Sequence, residues 1–202
     1  MTGGDKEFSE KQFMSTLGSS KDPAEPEFWD VRYRQDFTPW EMGRVPSRLA
    51  SYIGNLALPG KVLIPGCGTA CEAGFLADKG WQVTAIDFSP SAVLKAKERL
   101  GNFDCQIMLA DFLSYEEPDS PYDCIYERAF LCSLPPVLRT RYVEQCASLV
   151  RPGGILVGFF YVSPGSEGPP FPISGDELTH LMGTAFELLE DEKVNEDSLE
   201  IF

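Results

Sequence analysis

Lys61-Val62-Leu63-Ile64-Pro65-Gly66-Cys67-Gly68-Thr69-Ala70-Cys71 decides the architecture. Its first five residues read as a short buried strand. Two glycines one residue apart then let the backbone turn sharply beside a ligand, with no Cβ in the way. The pattern predicts a helix over 69–79, closed by Gly80. Beyond it, strand and helix signals alternate. Residues 82–87 read as a second strand. Ser89-Pro90 supplies an N-cap and an N1 proline for a helix that runs to Leu100 and stops at Gly101. Residues 106–109 form a third strand ending at Ala110-Asp111, and 122–126 a fourth. Pro135-Pro136 opens a helix with Leu138, Tyr142, Cys146 and Leu149 on one face. Arg151-Pro152-Gly153-Gly154 reads as a tight turn. Residues 155–162 are apolar throughout, which predicts a central fifth strand.

This alternation implies a parallel sheet covered by helices on both faces. After Val162 the chain changes character. Residues 163–174 are rich in Pro and Gly and make a long loop, and Ser174-Gly175-Asp176-Glu177 matches a capping box for a helix to about Met182. Residues 186–194 and 199–202 read as a terminal antiparallel strand pair, for seven strands in all. Between Glu187 and Glu200 seven acids stand against one Lys. On the N-terminal side, residues 1–24 read as a mobile segment with a short helix around Phe13, and 25–202 as a single domain. Trp29, Tyr33 and Trp40 precede the first strand and need a buried home. A helix packed on the core edge and an aromatic lid over a ligand are both open from composition.

The 202 residues are 43% hydrophobic and 24% charged, enough for a real core and unlike a disordered chain. Lys and Arg number 17 against 31 Asp and Glu, a formal net charge of -14. Such a surface repels phosphate backbones and anionic membranes, so neither nucleic acid nor lipid is expected as a partner. It leaves small anionic substrates open. The sequence has no run of about 18 apolar residues and no apolar export core at its start, and a cytoplasmic location is expected. The six cysteines include no Cys-x-x-Cys pair and read as free thiols in a reducing compartment. With one histidine, His180, a Cys/His zinc site is a poor fit.

Open α/β sheets bind ligands at the carboxyl ends of their strands. A dinucleotide fingerprint wants glycine at position 71, where this chain has Cys. Asp87 ends the second strand, where a carboxylate accepts hydrogen bonds from both ribose hydroxyls. Asp111 ends the third, beside Phe112, where a carboxylate faces an adenine amino group and a ring stacks on the base. Asp87 and Asp111 can each be ordinary strand-end caps. Together they favour S-adenosylmethionine over NAD.

These features resemble class I S-adenosylmethionine-dependent methyltransferases, and more narrowly the thiopurine S-methyltransferase superfamily, which also holds plant thiol and halide methyltransferases. The resemblance covers residues 28–202. It rests on Phe28-Trp29 to Thr38-Pro39-Trp40-Glu41, on Ile64-Pro65-Gly66-Cys67-Gly68, on Asp87-Phe88-Ser89, on Tyr122-Asp123-Cys124-Ile125-Tyr126-Glu127-Arg128-Ala129, and on Gly168-Pro169-Pro170-Phe171. It implies a Rossmann-like, mainly parallel seven-stranded sheet with a terminal antiparallel pair. It also implies S-adenosylmethionine as cofactor and S-adenosylhomocysteine as product. By it, Trp29, Tyr33 and Trp40 line the cofactor site, Gly66 meets the methionine moiety, Asp87 the ribose, and Asp111 with Phe112 the adenine, with Cys67, Gly68 and Arg128 also among the cofactor-binding residues. Arg128 falls where thiopurine-type members carry an Arg near the substrate, and Tyr33 stands where a Trp is common.

The expected reaction is methyl transfer to a small soft nucleophile: a thiol, a thiopurine-like heterocycle, or a selenium, tellurium or halide species. Arg128 just beyond the fourth strand would favour or hold a thiolate; its bland alternative is an ion pair, for example with Glu127. Cys67 and Cys71 read as small packing residues, and the loop 163–174 as a cover over the acceptor. The chain is expected to be a monomer or weak homo-oligomer. A catalytically silent cofactor-binding module and a nicotinamide oxidoreductase are the alternatives.

Overall fold

The computed structural model describes residues 21–55, 59–116, 120–165 and 167–194. Among the described residues two helices precede the sheet, α1 (Pro26–Arg34) and α2 (Ser47–Asn55). There follow β1 (Lys61–Pro65), α3 (Cys71–Asp78), β2 (Gln82–Asp87), α4 (Pro90–Leu100), β3 (Cys105–Leu109) and β4 (Tyr122–Arg128). The chain continues with α5 (Arg139–Leu149), β5 (Val150–Phe159) and α6 (Gly175–Met182). The strands pair in the order β3-β2-β1-β4-β5, all parallel. β1, flanked on both sides, is buried from Val62 to Pro65.

Strand alternation sends successive side chains to opposite faces. Val62 and Ile64 of β1 join Val83, Ala85, Cys124 and Tyr126 in one core layer, with Leu49 and Ile53 of α2 and Leu76 of α3. Leu63, Ile86 and Ile125 face the other layer, with Tyr142, Val143, Cys146 and Leu149 of α5. The caps form as their chemistry requires. The Ser89 side chain accepts from the Ala92 N–H at 3.1 Å, and Ser174 and Glu177 complete a reciprocal capping box.

Several expectations are corrected. The described residues form a five-stranded parallel sheet, not a seven-stranded one with an antiparallel pair. Residues 186–194 carry no strand. Adjacent Leu188 and Leu189 are 64% and 73% exposed, so neither face of the segment is buried. Residues 199–202 and the helix expected around Phe13 lie outside the described residues. β5 stands at the sheet edge rather than the centre, its apolar side chains half-buried. The turn at 151–154 is an irregularity within β5: Tyr122 pairs Val150, whereas Cys124 pairs Ile155. Arg151 ties it to β4 through Asp123 Oδ1 at 2.6 Å. The helix expected from Pro135 begins as a 3-10 turn, Pro136–Leu138, and turns α only at Arg139. Helix α2 was not anticipated, although the spacing of Leu49 and Ile53 is its signal.

Candidate active site

β1 ends in a turn whose residues 66, 68 and 70 all have positive φ: Gly66 at +55°, Gly68 at +53° and Ala70 at +52°. The space beside each glycine is already taken. A Cβ on Gly66 would lie 2.2 Å from the Phe130 ring, and one on Gly68 would lie 2.3 Å from Glu41 Oε1 and 2.7 Å from the Tyr33 hydroxyl. Both positions therefore require glycine on steric and conformational grounds.

The same cavity is lined by Trp29, Tyr33, Trp40, Gly66, Cys67, Gly68, Asp87, Asp111, Phe112 and Arg128. The structure thus brings every site residue named from the sequence onto one wall. Asp87, at the tip of β2, is buried. Its Oδ2 accepts from the Gly68 N–H at 3.0 Å and its Oδ1 from the Ser89 N–H at 2.9 Å. Burial pushes its pKa up to about 6; the Ser89 and Gly68 N–H groups oppose the rise and the Glu41 charge adds to it. Asp111 is exposed and caps the short turn Phe112–Ser114, accepting from the Leu113 N–H at 3.0 Å and the Ser114 hydroxyl at 3.2 Å. Phe112 is pinned edge-on to Phe130, ring centroids 5.5 Å apart. Each aspartate is both a local cap and part of the cavity wall.

Helix α1 carries Trp29 and Tyr33, and Trp40 follows it in the chain. Trp29 donates its indole N–H to Pro23 O at 2.8 Å and meets Trp40 edge-on at 5.3 Å. Trp40 donates to the Tyr33 hydroxyl at 3.0 Å. Burial first, then the Asp87 and Glu41 charges, hold the Tyr33 phenol well above its usual range, so it stays neutral. Asp30 fastens α1 to the start of α4: its Oδ1 accepts from the Ser89 hydroxyl at 2.9 Å and the Ser91 N–H at 2.7 Å. The helix packs on the core edge, and Trp29, Tyr33 and Trp40 line the cavity.

Arg128 is the last residue of β4 rather than just beyond it. It pairs with Glu72, not Glu127: Nε donates to Glu72 Oε1 at 2.6 Å, and Nη1 donates to Trp40 O at 3.0 Å. Glu127 is fully buried, and its Oε2 accepts from the Phe130 and Leu131 N–H groups at 3.1 and 2.8 Å. Burial pushes its pKa up to about 8, against the pull of those N–H groups and Arg128. Glu41, Glu72, Tyr126, Phe130, Pro169 and Pro170 also line the cavity. No sequence signal singled out Glu72 or Phe130. Glu41 stood in the quoted aromatic motif without a role. It now accepts from the Thr69 N–H at 2.9 Å and the Thr69 hydroxyl at 2.7 Å.

Pro169 and Pro170 bring the Pro-rich loop to the wall, and that loop is docked by the Phe171 N–H on Cys132 O at 2.6 Å and by Arg139 on Phe171 O at 2.9 Å. Cys67 is buried and burial pushes its thiol well up, whereas Cys71 is half-buried and off the wall. All six cysteines are free. His180 is exposed on α6, away from the cavity. Among the described residues no His/Cys/Asp/Glu cluster is placed to hold a metal, and no helix is long and apolar enough to cross a membrane.

The fold is shared with solved structures. Magnesium protoporphyrin IX methyltransferase from Synechocystis PCC 6803, with bound SAM, matches with a TM-score of 0.62 at 18% identity, covering 84% of this chain and 88% of the other. The DhpI–SAH complex matches at 0.61 and 20%, covering 79% and 84%. The fold is that of the Rossmann-like S-adenosylmethionine-dependent methyltransferases.

The sequence narrows the class. The thiopurine S-methyltransferase (TPMT) family model matches residues 24–201. Thiopurine S-methyltransferase of Pseudomonas fluorescens (strain SBW25) is 31% identical over 185 residues, 81% of this chain and 84% of that protein. Probable thiol methyltransferase 2 of Arabidopsis thaliana is 27% identical over 160 residues, 76% of this chain and 70% of that protein. The chain belongs to the thiopurine S-methyltransferase family and is an S-adenosylmethionine-dependent methyltransferase.

Proposed function

We propose that the chain transfers a methyl group from S-adenosylmethionine to a small soft nucleophile: a thiol, a thiopurine-like heterocycle, or a selenium, tellurium or halide species. The residues present fit the cofactor. A carboxylate has about four lone-pair sites, and Asp87 uses one on each oxygen, which leaves acceptors for a ribose diol. The turn at Gly66 and Gly68 lines the cavity without a side chain of its own at either position. Asp111 and Phe112 serve the adenine end. Bound there, the cofactor supplies a methyl group made electrophilic by its sulfonium sulfur.

The chain's own residues then orient and shield. Trp29, Tyr33 and Trp40 offer π-density to positive charge, an attraction of about 0.5–2 kcal/mol per ring. Holding the two reactants in line contributes about 7–11 kcal/mol of the barrier reduction. Pro169 and Pro170 close the acceptor side. Arg128 stays cationic and favours the ionised form of an acidic acceptor.

One observation carries the choice of a soft nucleophile. Every carboxylate on the cavity wall already serves other donors: Asp87 serves Gly68 and Ser89, Asp111 serves Leu113 and Ser114, Glu41 serves Thr69, and Glu72 serves Arg128. Such a wall suits an acceptor that arrives ionised, as a thiol of low pKa does. Methyl-labelled cofactor is incubated with a panel of small thiols, a thiopurine, halide ions and alcohols. Label on sulfur, selenium, tellurium or halide is expected. Label confined to oxygen, nitrogen or macromolecules overturns the proposal, and binding without turnover on any acceptor marks a silent module.

A further inference from the structure

The polar groups of the cavity follow the order of the strands. Asp111 lies just past the tip of β3, Asp87 ends β2, the glycine turn follows β1, and Arg128 ends β4. A nucleoside seated with its base at Asp111 and its sugar at Asp87 directs its 5′ substituent toward β1 and β4. The wall there carries Glu41, Glu72 and Arg128. Arg128 neutralises Glu72 at 2.6 Å. Glu41 differs. Its donors are the Thr69 N–H at 2.9 Å, the Thr69 hydroxyl at 2.7 Å and the Tyr33 hydroxyl at 3.5 Å, all uncharged. Among the described residues no Lys or Arg forms an ion pair with it. Two of those donors fall on Oε1 and one on Oε2, so Oε2 keeps an acceptor position. The carboxylate also lies hard against the loop, with Oε1 only 2.3 Å from where a Gly68 Cβ would be.

We propose that Glu41 binds the cationic α-amino group of the cofactor's amino-acid tail. The assignment rests on the cofactor reading above. With Arg128 and Glu72 neutralising each other, Glu41 is left with uncharged donors alone, and the ammonium of the tail supplies the cationic partner it lacks. Thr69 holds the Glu41 carboxylate with two bonds, so little side-chain freedom is lost on binding. Charge-assisted hydrogen bonds of this kind are the stronger class.

The test compares two ligands on the full chain by calorimetry. S-adenosylhomocysteine carries the amino-acid tail; 5′-deoxy-5′-(methylthio)adenosine has the same nucleoside and sulfur without it. Glu41→Gln keeps an acceptor for Thr69 and removes the charge. It is expected to weaken S-adenosylhomocysteine about tenfold to a hundredfold and to leave the truncated nucleoside within about twofold. Equal weakening of both ligands assigns Glu41 to holding the loop and overturns the proposal. No change in either overturns it as well, while the cofactor reading stands. Wild-type protein that binds neither ligand overturns both, and circular dichroism with a thermal melt establishes that the variant is folded.

Discussion

Asp87 accepts fully only when ionised, and its burial makes that a matter of ordinary buffer pH. With its pKa pushed up to about 6, the folded carboxyl carries a proton below that pH and offers fewer acceptors. Affinity for S-adenosylhomocysteine is expected to fall as pH drops through about 6. Asp87→Asn should bind roughly tenfold or more weakly and lose this pH step, as calorimetry at several pH values will show. A step that survives the substitution belongs to another group. Glu127 makes the complementary case for stability. Its folded pKa of about 8 lies above a glutamate's ordinary 4.5, so the folded protein keeps a proton that the unfolded chain releases. The stability contributed by Glu127 is therefore greatest below about pH 4.5, declines as pH rises to about 8, and is level beyond. Glu127→Gln lacks this slope. Its melting temperature relative to wild type should climb between about pH 5 and pH 8; a constant difference would show that Glu127 ionises normally.

At the scale of elements, α1 is held to α4 by Asp30, which accepts from the Ser89 hydroxyl and Ser91 N–H and pairs with Arg34 at 3.1 Å. Asp30→Ala removes these bonds and leaves the Ser89 hydroxyl, at a buried site, without its acceptor. A loss of roughly 1–3 kcal/mol is expected in denaturant unfolding, with Asp30→Asn losing less because it keeps the acceptor. Because α1 carries Trp29 and Tyr33, tryptophan fluorescence should shift in the same variant. An Asp30→Ala protein as stable as wild type would mean that ring packing alone seats the helix. The Asp30 tether was not legible in the sequence, since its partners stand about sixty residues away. What was legible is local. Ser89-Pro90 and the Ser174–Glu177 box announce helix starts because their partners are within three residues. Asp87 and Asp111 were legible because strand tips are where this architecture places ligands. The position of β5 was not, because an apolar run tells that a strand packs on both faces and not which neighbours it has. Glu41 and Glu72 escaped for the reason Asp30 did: Thr69 and Arg128 give them meaning only after folding.

For the whole molecule, the cavity draws on the N-terminal segment, the glycine turn, three strand tips and the Pro-rich loop. A ligand that bridges all of them binds the folded chain and not the unfolded one. At a hundredfold excess over its dissociation constant it adds about 2.7 kcal/mol. For a chain of this size each kcal/mol raises the melting temperature by about 2–4 °C, so S-adenosylhomocysteine should raise it by about 5–11 °C. NAD under the same conditions should give no comparable shift. A larger shift with NAD would point to the nicotinamide alternative.

The crowding beside Gly66 bears on the order in which the molecule assembles. The gap left by its missing methyl is filled by Phe130, a residue 64 positions further along the chain. The bend therefore gains its supporting contact only when β4 has docked, although β1 itself is local to α3. Phe130→Leu is accordingly expected to quicken unfolding while leaving the refolding rate nearly unchanged, the kinetic signature of a contact made after the rate-limiting barrier. Stopped-flow measurements that instead found slowed refolding would put this ring in the nucleus, and the ligand-binding bend among the earliest parts to form.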